Sequence, residues 1–205
     1  MQVMARVGDL IMLNFYFLVT SIPLITIGSA LTALYDVCFR LGTDREPMGV
    51  TRAYFQAFRE NLKPGTLVWL VLLVLGTATA GNTMLFYLMP GALRYAFLLF
   101  AVLFLLVLFM GAYAFPLVSQ FENPTLPTLK NALVMSVAYL PRTLPMVLLN
   151  CLPFLLLLCR VMTFFQLGLV WIVIYFAAAA YGNTWLLRKV FAPYLEQDET
   201  EEENA

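Results

Sequence analysis

The chain has 205 residues, 62% hydrophobic and 12% charged, and its twelve basic and twelve acidic side chains give a formal net charge of zero. A soluble domain carries about twice that charge, and a neutral chain has no global field to draw nucleic acid. Histidine, the commonest metal ligand and proton shuttle, is absent, and a mean hydropathy of +0.85 leaves an integral membrane protein as the class.

Five apolar spans follow along the chain: Leu10 to Phe39, Thr66 to Met89, Leu93 to Val118, Thr143 to Cys159 and Phe164 to Leu187. The first is interrupted by Pro23 and Gly28 and carries Asn14, Thr20, Ser21, Thr26, Thr32 and Tyr35. A mere anchor needs none of these groups, because each buried polar atom must find a partner in hydrocarbon. The expectation is a kinked first span that turns its polar side chains inward. A re-entrant hairpin at Pro23, returning the N-terminus to the cytoplasmic side, is the alternative.

The first long connection opens on a turn at Asp44-Arg45-Glu46-Pro47. A helix from Val50 to Lys63 follows, with Tyr54, Phe55, Phe58 and Leu62 on one face and Arg52, Gln56, Arg59, Glu60 and Lys63 on the other. Aromatic residues opposite arginines suit the membrane interface. The blander use of this helix is as a belt beneath the bundle. The sharper one is a docking face for a partner, carried by Arg52, Tyr54, Phe55, Phe58 and Arg59. A tight Met89-Pro90-Gly91-Ala92 turn joins the second and third spans.

The second long connection predicts another helix, with Leu129, Ala132, Leu133, Ser136, Val137 and Leu140 along one face. Leu62-Lys63-Pro64-Gly65-Thr66-Leu67 and Tyr139-Leu140-Pro141-Arg142-Thr143-Leu144 then enter the next spans alike, which suggests a tandem duplication. Helix-start chemistry alone gives the same string. In the remaining spans Asn82, Asn150 and Asn183 are expected in a polar bundle interior, as packing glue or as the lining of a conduit. No ionisable residue stands at mid-span, which weighs against a proton- or ion-coupled carrier. Cys38, Cys151 and Cys159 have no metal spacing, and no nucleophile elbow, phosphate loop or carboxylate pair points to catalysis. No metal or cofactor is expected.

Lysine and arginine set the orientation. Arg40, Arg45, Arg52, Arg59, Lys63, Lys130, Arg142, Arg188 and Lys189 fall on one side of a five-span arrangement, and Arg6, Arg94 and Arg160 on the other. The positive-inside rule places the long loops and the C-terminus in the cytoplasm and, for a first span that crosses fully, the N-terminus outside. Residues 1–195 read as a single transmembrane helical domain and 196–205 as a disordered acidic tail.

The order Asp9, Asn14, Pro23, Thr26, Gly28, Thr32-Ala33-Leu34-Tyr35, followed by the Phe-rich Tyr54 to Lys63 segment, resembles the YesL-like family of small bacterial membrane proteins. The spacing fits D-x4-N-x8-P-x2-T-x-G-x3-T-A-L-Y, and later segments match more loosely. The resemblance implies a companion of carbohydrate utilisation systems in Gram-positive bacteria and carries over no catalytic residue. The expected whole is an all-α polytopic membrane bundle of five transmembrane helices, with interfacial helices in two cytoplasmic loops. The resemblance leads to the expectation of a non-enzymatic accessory subunit of a carbohydrate (oligosaccharide) ABC importer in the plasma membrane, with lipid, the importer's membrane subunits and further copies of itself as expected partners. The alternative is a stand-alone transporter or channel for a neutral solute, lined by Asn14, Thr26, Asn82, Asn150 and Asn183.

Overall fold

A computed structural model describes residues 2–41 and 49–203, so the turn expected at Asp44 to Pro47 lies outside the described residues. Among those residues the fold is all-helical. Five segments are long and apolar enough to cross a membrane: Leu24–Leu41, Leu62–Leu88, Ala92–Gln120, Leu140–Cys159 and Gly168–Ala192.

The N-terminal region departs from a single kinked rod. Helix α1 (Gln2–Thr20) stops at a break, a short 3-10 turn (Leu24–Thr26) follows, and α2 (Ile27–Leu41) begins. Pro23 causes the break: it lacks an N–H, its ring crowds the carbonyl four residues earlier, and it pushes Ile22 out of helical geometry. Thr26 Oγ1 closes the turn, 2.7 Å from the carbonyl oxygen of Thr20 and 2.8 Å from that of Pro23. The chain then folds back. In an unbroken helix Asn14 and Cys38 would stand about 36 Å apart, yet both side chains reach the backbone of Ala177. The α1–α2 pair is therefore a helical hairpin whose two free ends point the same way.

That geometry has a direct check. In a chain lacking Cys38, Cys151 and Cys159, a Gly8→Cys thiol is expected to react with an impermeant maleimide from the same side of the membrane as a Tyr194→Cys thiol. Labelling from opposite sides would contradict the hairpin.

Helix α2 is the central element, burying residues all around its circumference from Gly28 to Leu41. It packs against α1, against α3 (Val50–Glu60), against the first turns of α4 (Leu62–Leu88), against α5 (Ala96–Gln120) and against the last helix. Helices α4 and α5 form an antiparallel pair whose link needs Gly91, which takes a positive φ of 77°. Helix α6 (Thr125–Ala138) lies on α5, and α7 (Leu140–Cys159) follows. After α8 (Val161–Gln166) and α9 (Gly168–Val170), a π-turn (Trp171–Tyr175) leads into α10 (Phe176–Glu203). Helix α10 continues through Glu196 to Glu203, where a disordered tail was expected from 196. Glutamate-rich sequence is a good helix former, and extending an existing helix carries no nucleation cost.

The sequence match between the two loop exits has a structural counterpart. Helices α3 and α4 are separated by Asn61 alone (φ −94°, ψ 9°), and α6 and α7 by Tyr139 alone (φ −110°, ψ 39°). Each break is followed within one turn by a proline, Pro64 or Pro141, which ends the preceding helix and is tolerated at the start of the next. The matching threonines both reach back to the long helix before: Thr66 Oγ1 is 2.9 Å from Ser29 Oγ, and Thr143 Oγ1 is 3.3 Å from the Tyr113 hydroxyl. Helices α2–α3–α4 and α5–α6–α7 thus repeat one pattern in the same order, which supports a duplicated origin.

Candidate functional site

Most polar residues of the N-terminal hairpin are engaged in fixing it. Asn14 is fully buried. Its Nδ2 donates to the carbonyls of Ile172 (2.7 Å) and Trp171 (3.2 Å), and its Oδ1 accepts from the N–H of Ala177 (3.0 Å). A π-turn interrupts the α-helical ladder just there, and one asparagine completes three backbone groups that hydrocarbon could not satisfy.

Gly28 and Gly65 make the second fixed point, where α2 crosses α4. A Cβ on Gly28 would overlap the Gly65 carbonyl and lie 2.5 Å from Trp69 Cβ, while one on Gly65 would meet Ser29 Cα at 2.9 Å. The close approach lets Ser29 Oγ donate to the Leu62 carbonyl (3.1 Å), and Trp69 Nε1 donates to the Leu24 carbonyl (2.8 Å) at the hairpin tip. Thr32 Oγ1 donates to the Gly28 carbonyl (2.9 Å) within α2. At the other end of α2, Arg188 Nη2 donates to the Phe39 carbonyl (3.2 Å), a cation at a helix C-terminus where carbonyls lack partners.

Tyr35, Asn150 and Asn183 come together, with Tyr35 and Asn183 buried and Asn150 exposed on α7. Asn183 Nδ2 donates to the Tyr35 hydroxyl (3.1 Å) and to Asn150 Oδ1 (2.9 Å), joining α2, α7 and α10. Asn82 is not with them. It is partly exposed and donates to the Ala78 carbonyl of its own helix (2.8 Å), so its amide is satisfied locally while facing outward. Asp9 is half-buried on α1.

Helix α3 divides its residues differently from the expected faces. Val50, Ala53, Tyr54 and Ala57 are buried, and Phe58 packs partly against the core. Tyr54 anchors the helix. Its hydroxyl is 2.6 Å from Thr20 Oγ1, its ring stacks on Phe58, and burial pushes its phenol pKa well above the ordinary value. Arg52, Phe55, Gln56 and Arg59 stay exposed, with Phe55 40% accessible beside Tyr16. Tyr54 and Phe58 therefore hold the helix down, and the outward strip is Arg52, Phe55, Gln56 and Arg59.

Two cavities flank these elements. A polar cleft of ≈ 570 Å³ lies where the ends of α2 and α3 meet the α5–α6 link, lined by Asp36, Arg40, Glu60, Asn61, Gln120 and Asn123. Within it Arg40 Nη2 pairs with Asp36 Oδ2 at 2.8 Å. A second cavity, ≈ 690 Å³, lies at mid-depth between the hairpin and helices α4, α5, α7 and α10, and its walls are almost entirely apolar. Sequence reasoning did not single out Gly65, Trp69 or the Trp171–Ala177 backbone. Gly65 sits inside the repeated loop exit and was within reach, whereas a backbone partner for Asn14 leaves no mark in composition or spacing.

Fold and site together define a polytopic α-helical membrane protein organised on an N-terminal re-entering hairpin. Residues 10–83, covering most of that hairpin, α3 and most of α4, match the family described as "Protein of unknown function, DUF624". No curated protein and no solved structure matches the chain.

Proposed function

We propose that the chain is a non-enzymatic accessory subunit of a bacterial carbohydrate ABC importer in the cell membrane, presenting α3 to its partner on the cytoplasmic side. One observation carries this reading. Helix α3 is pinned by Tyr54 on one side, yet leaves a cationic and aromatic strip of Arg52, Phe55 and Arg59 uncovered on the other. A rigid helix with uncovered Phe and Arg has the composition of an interface centre. The polar cleft adjoins it through Glu60.

The hairpin supports the orientation. With α1 folded back, Arg6 joins the loop and C-terminal cations, leaving Arg94 and Arg160 at the opposite end. Under the positive-inside rule this distribution supports a cytoplasmic α3 side better than a straight first span would. The importer class rests on the YesL-like resemblance, whose motif residues from Asn14 onward fall within the stretch matched by the family model.

The test is co-purification of importer membrane subunits from native membranes. Arg59→Glu combined with Phe55→Ala is expected to cut recovery at least tenfold while leaving the thermal transition within a few degrees of wild type. Recovery equal to wild type would place the docking surface elsewhere. The stand-alone carrier reading draws on the mid-depth cavity. Of the side chains expected to line a conduit, only Asn150 reaches that cavity.

A further inference from the structure

The mid-depth cavity takes its walls from the middle turns of α4, α5, α7 and α10, with residues such as Leu72, Val107, Phe115, Val147 and Ala180. No Asp, Glu, Lys or Arg side chain lines it. Helix α4 makes at most grazing contact with α7 and α10, so the space stays open on the α4 side although α5 packs on α7. Water is not held stably between such walls. At this depth of a bilayer the surrounding medium is hydrocarbon chain.

Hydrocarbon alone leaves the polar groups unexplained. Ser21 Oγ stands on the cavity wall, buried and without a hydrogen-bond partner among the described residues. Tyr35 and Asn150 also line the cavity, and both are tied to Asn183, a fully buried residue whose Oδ1 lacks a partner. Orphaned groups of this kind are rare in folded proteins. They ask for a ligand that can give and take hydrogen bonds. A phosphate or carboxylate headgroup is excluded by the lining, since a buried charge needs a partner and none is offered.

We propose that this cavity binds one uncharged lipid of the acylglycerol type. Its hydrocarbon chain lies along the walls of α4, α5, α7 and α10, and its hydroxyl-bearing end exchanges hydrogen bonds at Ser21 and at Asn150, which both line the cavity. The site stands independently of the importer reading, because it uses none of the α3 strip.

The test uses the full chain in nanodiscs and a monoacylglycerol carrying a photoreactive diazirine in its chain, alongside a phosphatidylglycerol with the same chain. The monoacylglycerol is expected to label Leu72 to Ala80 and Phe104 to Phe115 saturably, with competition by unlabelled monoacylglycerol. The phosphatidylglycerol is expected to label outward positions such as Leu98 and Leu99 without saturation. A Cβ on Gly111 would have only Leu72 Cδ1 near it, at 3.9 Å, so Gly111→Phe can grow into the cavity. It should cut the saturable labelling at least tenfold. Equal labelling by both lipids, or undiminished labelling of a folded Gly111→Phe protein, overturns the proposal. If Gly111→Phe fails to fold, Ser21→Ala decides. Preference for the monoacylglycerol over its hydroxyl-free alkane analogue should fall several-fold, and an unchanged preference overturns the site.

Discussion

Gly28→Ala is expected to remove most of the folded protein, an effect out of scale with the one methyl group added. The new Cβ would collide with the Gly65 carbonyl and with Trp69 Cβ, and the first of these is backbone that no rotamer change can move. Overpacking in a core typically costs ~1–3 kcal/mol when side chains can adjust. Here α2 and α4 must separate, which also breaks the Ser29–Leu62 and Ser29–Thr66 hydrogen bonds at the same crossing. The expected loss exceeds about 3 kcal/mol, read as a collapse of the monodisperse peak in size exclusion and of the thermal transition. Gly81→Ala is the control. Nothing lies within 4 Å of its would-be Cβ, and alanine in place of a mid-helix glycine should be neutral or stabilising by ~0.5–1 kcal/mol. Equal stability of the two variants would refute the crossing.

Asn14→Leu is expected to produce the next largest loss. The substitution preserves size but removes the amide that donates to Ile172 and Trp171 and accepts from Ala177. Side-chain hydrogen bonds in membranes average ~0.6 kcal/mol each, which for three bonds gives about 2 kcal/mol as a floor. An orphaned buried backbone group costs ~1–3 kcal/mol more, unless the π-turn relaxes to ordinary α-helix. Relaxation would rotate Trp171 relative to α10 and shift its fluorescence. Asn14→Asp should be no better, because an ionised carboxylate keeps the bond from Ala177 but donates nothing. An Asn14→Leu protein with wild-type melting and an unchanged Trp171 signal would show the clamp to be incidental.

The sequence made the membrane class, the number of spans and the loop helices legible, because long apolar runs and helical periodicity are local signals. It also marked Asn14, Gly28, Thr32 and Tyr35 as residues a simple anchor would not carry. What those residues touch was beyond its reach. Pro23 signals a break, but a kink and a reversal share the same local chemistry. The choice between them is made by Ala177, more than 150 residues away, whose backbone meets both arms of the hairpin. The faces of α3 were misjudged for a related reason. Periodicity grouped Tyr54 with Phe55, but tertiary contact with Thr20 drew Tyr54 inward and left its neighbour at the surface. Asn82 shows the limit on the polar side, since an asparagine that bonds its own helix looks the same in sequence as one that bridges two.

The Asn14 clamp imposes an order on assembly. Helix α1 leaves the ribosome well before the peptide groups that complete its asparagine, which lie more than 150 residues further along the chain. Through most of synthesis that amide must wait in the translocon or against provisional neighbours, and the hairpin can lock only when the final helix arrives. The N-terminus thus acts as a latch thrown last, so a truncated product lacking the final helix would leave an unsatisfied polar wedge in the bilayer for quality-control proteases to recognise.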